Sequence, residues 1–120
     1  MQAHERIAEM SNTTIDRTTF AELQDTAGVE FVNELVAAFF VEAPLMLAEL
    51  RDAFGAQSAE RFRRAAHSVK SNSLTFGASA LASLARDLEL GGLPAQAIAL
   101  DALDLEYARV AAALQELSRG

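Results

Sequence analysis

No cysteine occurs among the 120 residues, so disulfides and thiolate metal sites are excluded. Proline, with two residues, and glycine, with six, are scarce, which leaves little material for tight turns and points to few, long elements. Valine and isoleucine together number only nine, against 25 alanines and 16 leucines. Alanine and leucine are strong helix formers and β-branched residues fill strands, so this balance favours helix over sheet. Basic residues are few as well: ten, against 17 acidic ones, for a net charge of −7. That excess argues against a nucleic-acid partner, because such binding rests on lysine and arginine neutralising phosphates. No apolar run reaches the ~18 residues that read as a membrane span. The first 14 residues carry Glu5, Arg6 and Glu9 and lack the apolar core of a signal peptide. The expectation is a cytoplasmic protein without a membrane or nucleic-acid partner.

The length suits one domain with a hydrophobic core, not two. Residues 1–14 read as a lead-in and 15–118 as the domain. Asp16 is placed to cap a short helix, with Ile15 and Phe20 at the staple positions around it, and Gly28 to end it. Phe31, Val32, Leu35, Val36, Phe39 and Phe40 recur at three- and four-residue spacing and predict a second helix from about Val29 to Phe54. Pro44 inside it removes a backbone donor and is expected to bend it. A third helix is predicted from about Ser58 to Thr75, followed by a tight reversal at Gly77. Leu81, Leu84, Ala85 and Leu88 form the stripe of a fourth, stopped by Gly91 and Gly92. Pro94 is expected in the first turn of the last helix. There Leu100, Leu103, Tyr107, Val110, Leu114 and Leu117 make a narrow packing seam. Short connections make neighbours antiparallel. The fold class predicted is all-α: an antiparallel up-down-up-down four-helix bundle with a short extra helix at its N-terminal end, sufficient as a monomer to bury these stripes.

Most catalytic patterns are missing. Gly91-Gly92 lacks the Lys-Ser/Thr of a phosphate loop, and no H-E-x-x-H occurs. One residue stands out. At roughly 100° per residue, the third helix puts Phe62, Ala65, Ala66, Val69, Ser73 and Phe76 on one side. His67 falls opposite, with Arg63, Lys70 and Leu74 beside it and Arg64 and Ser71 flanking. Ser73, on the apolar side, is expected to bond a carbonyl one turn back, and Asn72 lies at the margin. An unperturbed imidazole titrates near ~6.5 and is largely neutral and nucleophilic at neutral pH. Lys70 supplies a cation one turn on, able to neutralise phosphoryl oxygens, and Ser71 offers a hydroxyl hydrogen bond and a small side chain that lets a partner approach closely. From Arg61 to Arg86 there is no acidic residue, yet half of the ten basic residues lie there. On these residues alone two pairs of readings stand. His67 is a phosphate-carrying nucleophile or a solvated surface residue. The basic window meets an anionic partner or simply meets acidic neighbours on the next helix.

The segment Ala66-His67-Ser68-Val69-Lys70-Ser71-Asn72-Ser73-Leu74-Thr75-Phe76-Gly77-Ala78, followed by Leu81, Leu84, Ala85, Leu88 and Glu89, closely resembles the histidine-containing phosphotransfer (HPt) domain. The stretch Phe39-Phe40-Val41-Glu42-Ala43-Pro44 is similar to it too, and the likeness covers about residues 15–118. The resemblance implies a bundle whose exposed histidine, here His67, is phosphorylated. Lys70 matches the family's phosphate-supporting lysine, and Ser71 stands where glycine is common, at the point of close approach. It further implies that the phosphoryl group comes from an aspartyl phosphate on the receiver domain of a hybrid histidine kinase and passes to that of a response regulator. The protein is then a stoichiometric carrier, not an enzyme. It needs no cofactor, the Mg²⁺ belonging to the receiver. Arg63, Arg64 and Leu74 would serve docking. The competing expectation is an adaptor that docks a kinase or receiver and carries no phosphate.

Overall fold

The computed structural model describes residues 14–119; the predicted lead-in falls, but for Thr14, outside them. Among the described residues there are five helices and no strand: α1 (Arg17–Ala27), α2 (Val29–Gly55), α3 (Ala59–Thr75), α4 (Ser79–Gly91) and α5 (Ile98–Arg119). Their starts follow local chemistry. The Asp16 carboxylate accepts from the backbone N–H groups of Thr18, at 3.0 Å, and Thr19, capping α1. The Ser58 hydroxyl accepts from the Arg61 N–H at 3.4 Å, capping α3. Such caps satisfy donors that the first helical turn leaves without partners.

α2 packs on α3, α3 on α4, α4 on α5, and α5 back on α2, while α1 lies against α2. The core within this ring contains Val32, Leu50, Phe62, Leu81, Leu100, Leu103, Val110 and Leu114, all essentially without solvent contact. Burying side chains of this size contributes roughly 1.5–3 kcal/mol each. Phe39 joins the elements through two ring contacts, 5.2 Å to Phe76 and 5.7 Å to Tyr107 between centroids. Ion pairs fasten the seams: Arg51 of α2 reaches Asp101 at 2.8 Å and Asp104 at 2.6 Å on α5. Arg61 of α3 reaches Glu49, at 2.9 Å, and Asp52 on α2.

One expectation changes. Pro94 does not sit in the first turn of the last helix, which starts at Ile98. Leu93 packs on the core, so the chain is committed there just after Gly92 and uses the next residues to reach α5. The Ala97 carbonyl then accepts from the N–H groups of Leu100, at 2.9 Å, and Asp101, at 3.1 Å. α2 is by length and composition apolar enough to cross a membrane, though no uninterrupted apolar run within it reaches ~18 residues. Its stripe of Val32, Val36, Phe39, Ala43, Leu50 and Ala53 is spent on the core. The helix continues through Pro44, which is exposed.

The turn between α3 and α4 is built on Gly77. Its φ is +79°, a region unfavourable to other residues. Its carbonyl accepts from the Asp16 N–H at 2.8 Å. A Cβ there would lie 3.0 Å from both the Asp16 carbonyl oxygen and the Thr19 Cβ. Glycine therefore lets the start of α1 press against the corner from which α4 doubles back along α3. That reversal sets which α4 residues meet His67.

Candidate functional site

His67 lies on the solvent face of α3, its side chain 55 % exposed. Val69, Ala65, Ala66 and Phe62 of the same helix are buried, so the core stripe fixes the direction in which the imidazole points. Ser71 and Leu74 are exposed alongside it, Leu74 at 55 %. Ser73 is buried and its hydroxyl donates to the Val69 carbonyl at 2.6 Å, as its place on the apolar side predicts. Asn72 turns toward α2: its amide donates to the Ser68 carbonyl at 2.8 Å and approaches Met46 Sδ at 3.8 Å.

The residue that organises the site comes from α4. Glu89 is 22 positions from His67 in sequence, and its Oε2 lies 2.8 Å from His67 Nδ1. Its other oxygen, Oε1, lies 2.8 Å from Lys70 Nζ. One carboxylate thus holds both the histidine and the lysine. Glu89 is only 12 % exposed and Lys70 25 %, so water screens this contact less than a surface pair. Lys70 first, and His67 second, hold the Glu89 carboxyl below the usual carboxylate range, outweighing the opposing effect of burial. Glu89 is therefore ionised near neutrality.

An ionised carboxylate can only accept hydrogen bonds. The hydrogen on a neutral His67 ring accordingly sits on Nδ1, donated to Glu89. The lone pair is then on Nε2. Lys70 has three N–H donors, so pairing with Glu89 leaves others for an incoming anion. The arrangement is a half-exposed nucleophilic nitrogen, a partly buried counter-ion behind the ring and a cation beside it. Among the described residues no three histidine, aspartate or glutamate side chains gather as a metal ion would require.

The model of the Hpt domain family matches residues 34–113. The chain belongs to the Hpt family. Among solved structures, it is similar to histidine-containing phosphotransfer protein B (HptB) from Pseudomonas aeruginosa PAO1. That likeness has a TM-score of 0.82 and 25 % identity over 88 % of this chain and 95 % of the other. No curated protein sequence matches significantly. The Hpt family and this likeness support a histidine phosphotransfer role in two-component signalling.

The basic window of this Hpt chain is acid-free only along the sequence. Arg61 is taken by Glu49 and Asp52 of α2. Arg63 pairs with Glu60 at 2.8 Å, and Arg64 approaches the same carboxylate at 3.9 Å. Both remain half-exposed or more, but their charge is shared with a neighbour on their own helix. Of the five cations in the window only Arg86 has no polar partner among the described residues. Sequence reading places Glu89 in the family pattern without giving it a task. The signal was available: α4 carries two carboxylates, and Glu89 directly follows the inward Leu88 on a helix whose other inward positions are Leu81, Ala82 and Ala85, whereas Asp87 is exposed. What was missing was the register of α4 on α3.

Proposed function

We propose that the chain is a phosphorelay carrier in which His67 Nε2 takes a phosphoryl group from an aspartyl phosphate and returns it to another. The reading is carried by one observation, the Glu89 carboxylate 2.8 Å from His67 Nδ1, which leaves Nε2 as the nucleophile. In the forward step the Nε2–P bond forms and the P–O bond to the aspartyl carboxylate breaks, releasing an ionised carboxylate. The phosphorylated ring keeps its Nδ1 hydrogen and becomes cationic, and Glu89 is its counter-ion. Lys70 turns its remaining N–H donors to the phosphoryl oxygens, a role of charge stabilisation and positioning. Ser71, small and exposed, lets the partner's backbone come close. Arg63, Arg64 and Leu74 border the contact. The donor is the receiver domain of a hybrid histidine kinase and the acceptor that of a response regulator. Each brings its own Mg²⁺. The carrier is cytoplasmic, works as a monomer, and uses residues 15–118 as an antiparallel up-down-up-down four-helix bundle with α1 as the extra helix.

The test is direct transfer. Purified chain is incubated with receiver domains carrying labelled aspartyl phosphate, and acid-labile label on the chain is followed. His67→Gln should accept none. Label on that variant would sink the assignment of His67. Tight receiver binding with no label on the wild-type chain would leave a docking adaptor in its place.

A further inference from the structure

We propose that Arg86 and the groove beside it form a second docking point, which receives an acidic side chain of the partner receiver and helps select among receivers. This rests on the phosphocarrier reading. The groove holds about 390 Å³ between α3 and α4 and is lined by Lys70, Leu74, Ser79, Ala82, Ser83 and Arg86. Lys70 belongs to both places, since it lines the groove and is held by the carboxylate that binds His67. A partner seated over His67 with an ordinary contact of ~800 Å² per side therefore extends over this groove.

The chemistry of the groove is specific. Its walls are small or apolar, with Leu74 exposed. Its one uncompensated charge is Arg86, exposed and without a polar partner among the described residues. Every other cation from Arg61 onward in that window is paired within the chain. On a chain of net charge −7, Arg86 is the one cation of the window left unshared, beside the exposed Asp87 that follows it on α4. A guanidinium matches a carboxylate with two parallel hydrogen bonds, and a charge at the rim of a contact acts mainly on the rate of encounter. Ser79 and Ala82 lie in the first turn of α4. Its N-cap residue, Ala78, provides no side-chain cap, but the Ser79 and Ala82 N–H groups already donate to the Gly77 and Ala78 carbonyls, so the side chain of Arg86 is what meets an acidic group.

The test compares wild type, Arg86→Gln and Arg86→Glu against purified receivers charged with labelled phosphate, with transfer measured across receiver concentration at low and high salt. For a receiver that transfers to wild type, Arg86→Glu should lower the second-order rate constant about tenfold at low salt. Arg86→Gln should fall between, the saturated rate should stay unchanged, and the gap should narrow at high salt. Receivers should lose unequally. Equal second-order rate constants for wild type and Arg86→Glu at low salt would overturn the proposal, as would an equal loss for every receiver. Circular dichroism and urea unfolding confirm that the variants fold. If no receiver labels wild type, the phosphocarrier reading fails by itself. Fluorescence titration of the same receivers then still decides Arg86: tighter binding to wild type supports the docking point, and equal binding rejects it.

Discussion

Replacing Gly77 by alanine tests how the corner before α4 is held. Two costs add. The backbone at φ +79° is unfavourable to a side chain by roughly 1–2 kcal/mol. The new Cβ would stand 3.0 Å from the Asp16 carbonyl oxygen and 3.0 Å from the Thr19 Cβ. Neither neighbour is the free end of a flexible chain, so one must shift, at about 1–3 kcal/mol. The sum is about 2–5 kcal/mol. With ~4–8 °C per kcal/mol for a domain near this size, the midpoint of thermal unfolding should drop by at least ~8 °C. Gly91→Ala is the control. Gly91 has open space at its Cβ position and no positive φ, and it ends α4, so alanine there should be neutral or stabilise by up to ~1 kcal/mol. Urea unfolding followed by circular dichroism reads both. If the two variants unfold alike, the account of the corner is wrong.

Glu89→Ala should leave the helices folded and slow phosphoryl transfer to His67 by about 10–100-fold, the cost seen when a group that orients a metal-ligating histidine is lost; wild-type transfer kinetics would remove Glu89 from the site. Because pairing lowers the Glu89 pKa in the folded chain, its contribution to stability is present above the ordinary carboxylate range and lost as pH falls through the lowered value. Urea midpoints of wild type and Glu89→Gln should therefore converge on acidification below ~4, and parallel curves would contradict this. Phe62→Ala removes a ring with no solvent contact and should cost about 3–5 kcal/mol in urea unfolding. Arg51→Ala cuts the tie from α2 to Asp101 and Asp104, but all three side chains are 42 % exposed or more; less than about 1 kcal/mol should be lost, and less still in high salt.

The helices were legible because their stripes are long and their stops are plain. Asp16, Gly28, Gly55 and Gly77 each fall where an element starts or ends. The solvent face of α3 was legible for the same reason: a core stripe through Phe62 and Val69 leaves His67 one direction. Contacts between helices were not. Periodicity states which side of a helix is buried, not how far one helix slides along the next. That slide pairs Glu89 with His67, and Arg61 with Glu49 and Asp52. The start of α5 was missed because Pro94 fits a first turn as well as it fits a linker, and the docking of Leu93 on the core decides between them.

The shared carboxylate makes the reactivity of His67 a property of tertiary structure. Nothing within α3 holds Nδ1; the group that does arrives from α4 only when the corner at Gly77 has closed and the register is set. A nascent or unfolded chain has the imidazole but no fixed tautomer and no counter-ion for a charged ring. On the proposed role, phosphate loading thus reports folding: only chains that have finished folding enter the relay, and a misfolded copy does not drain signal from it.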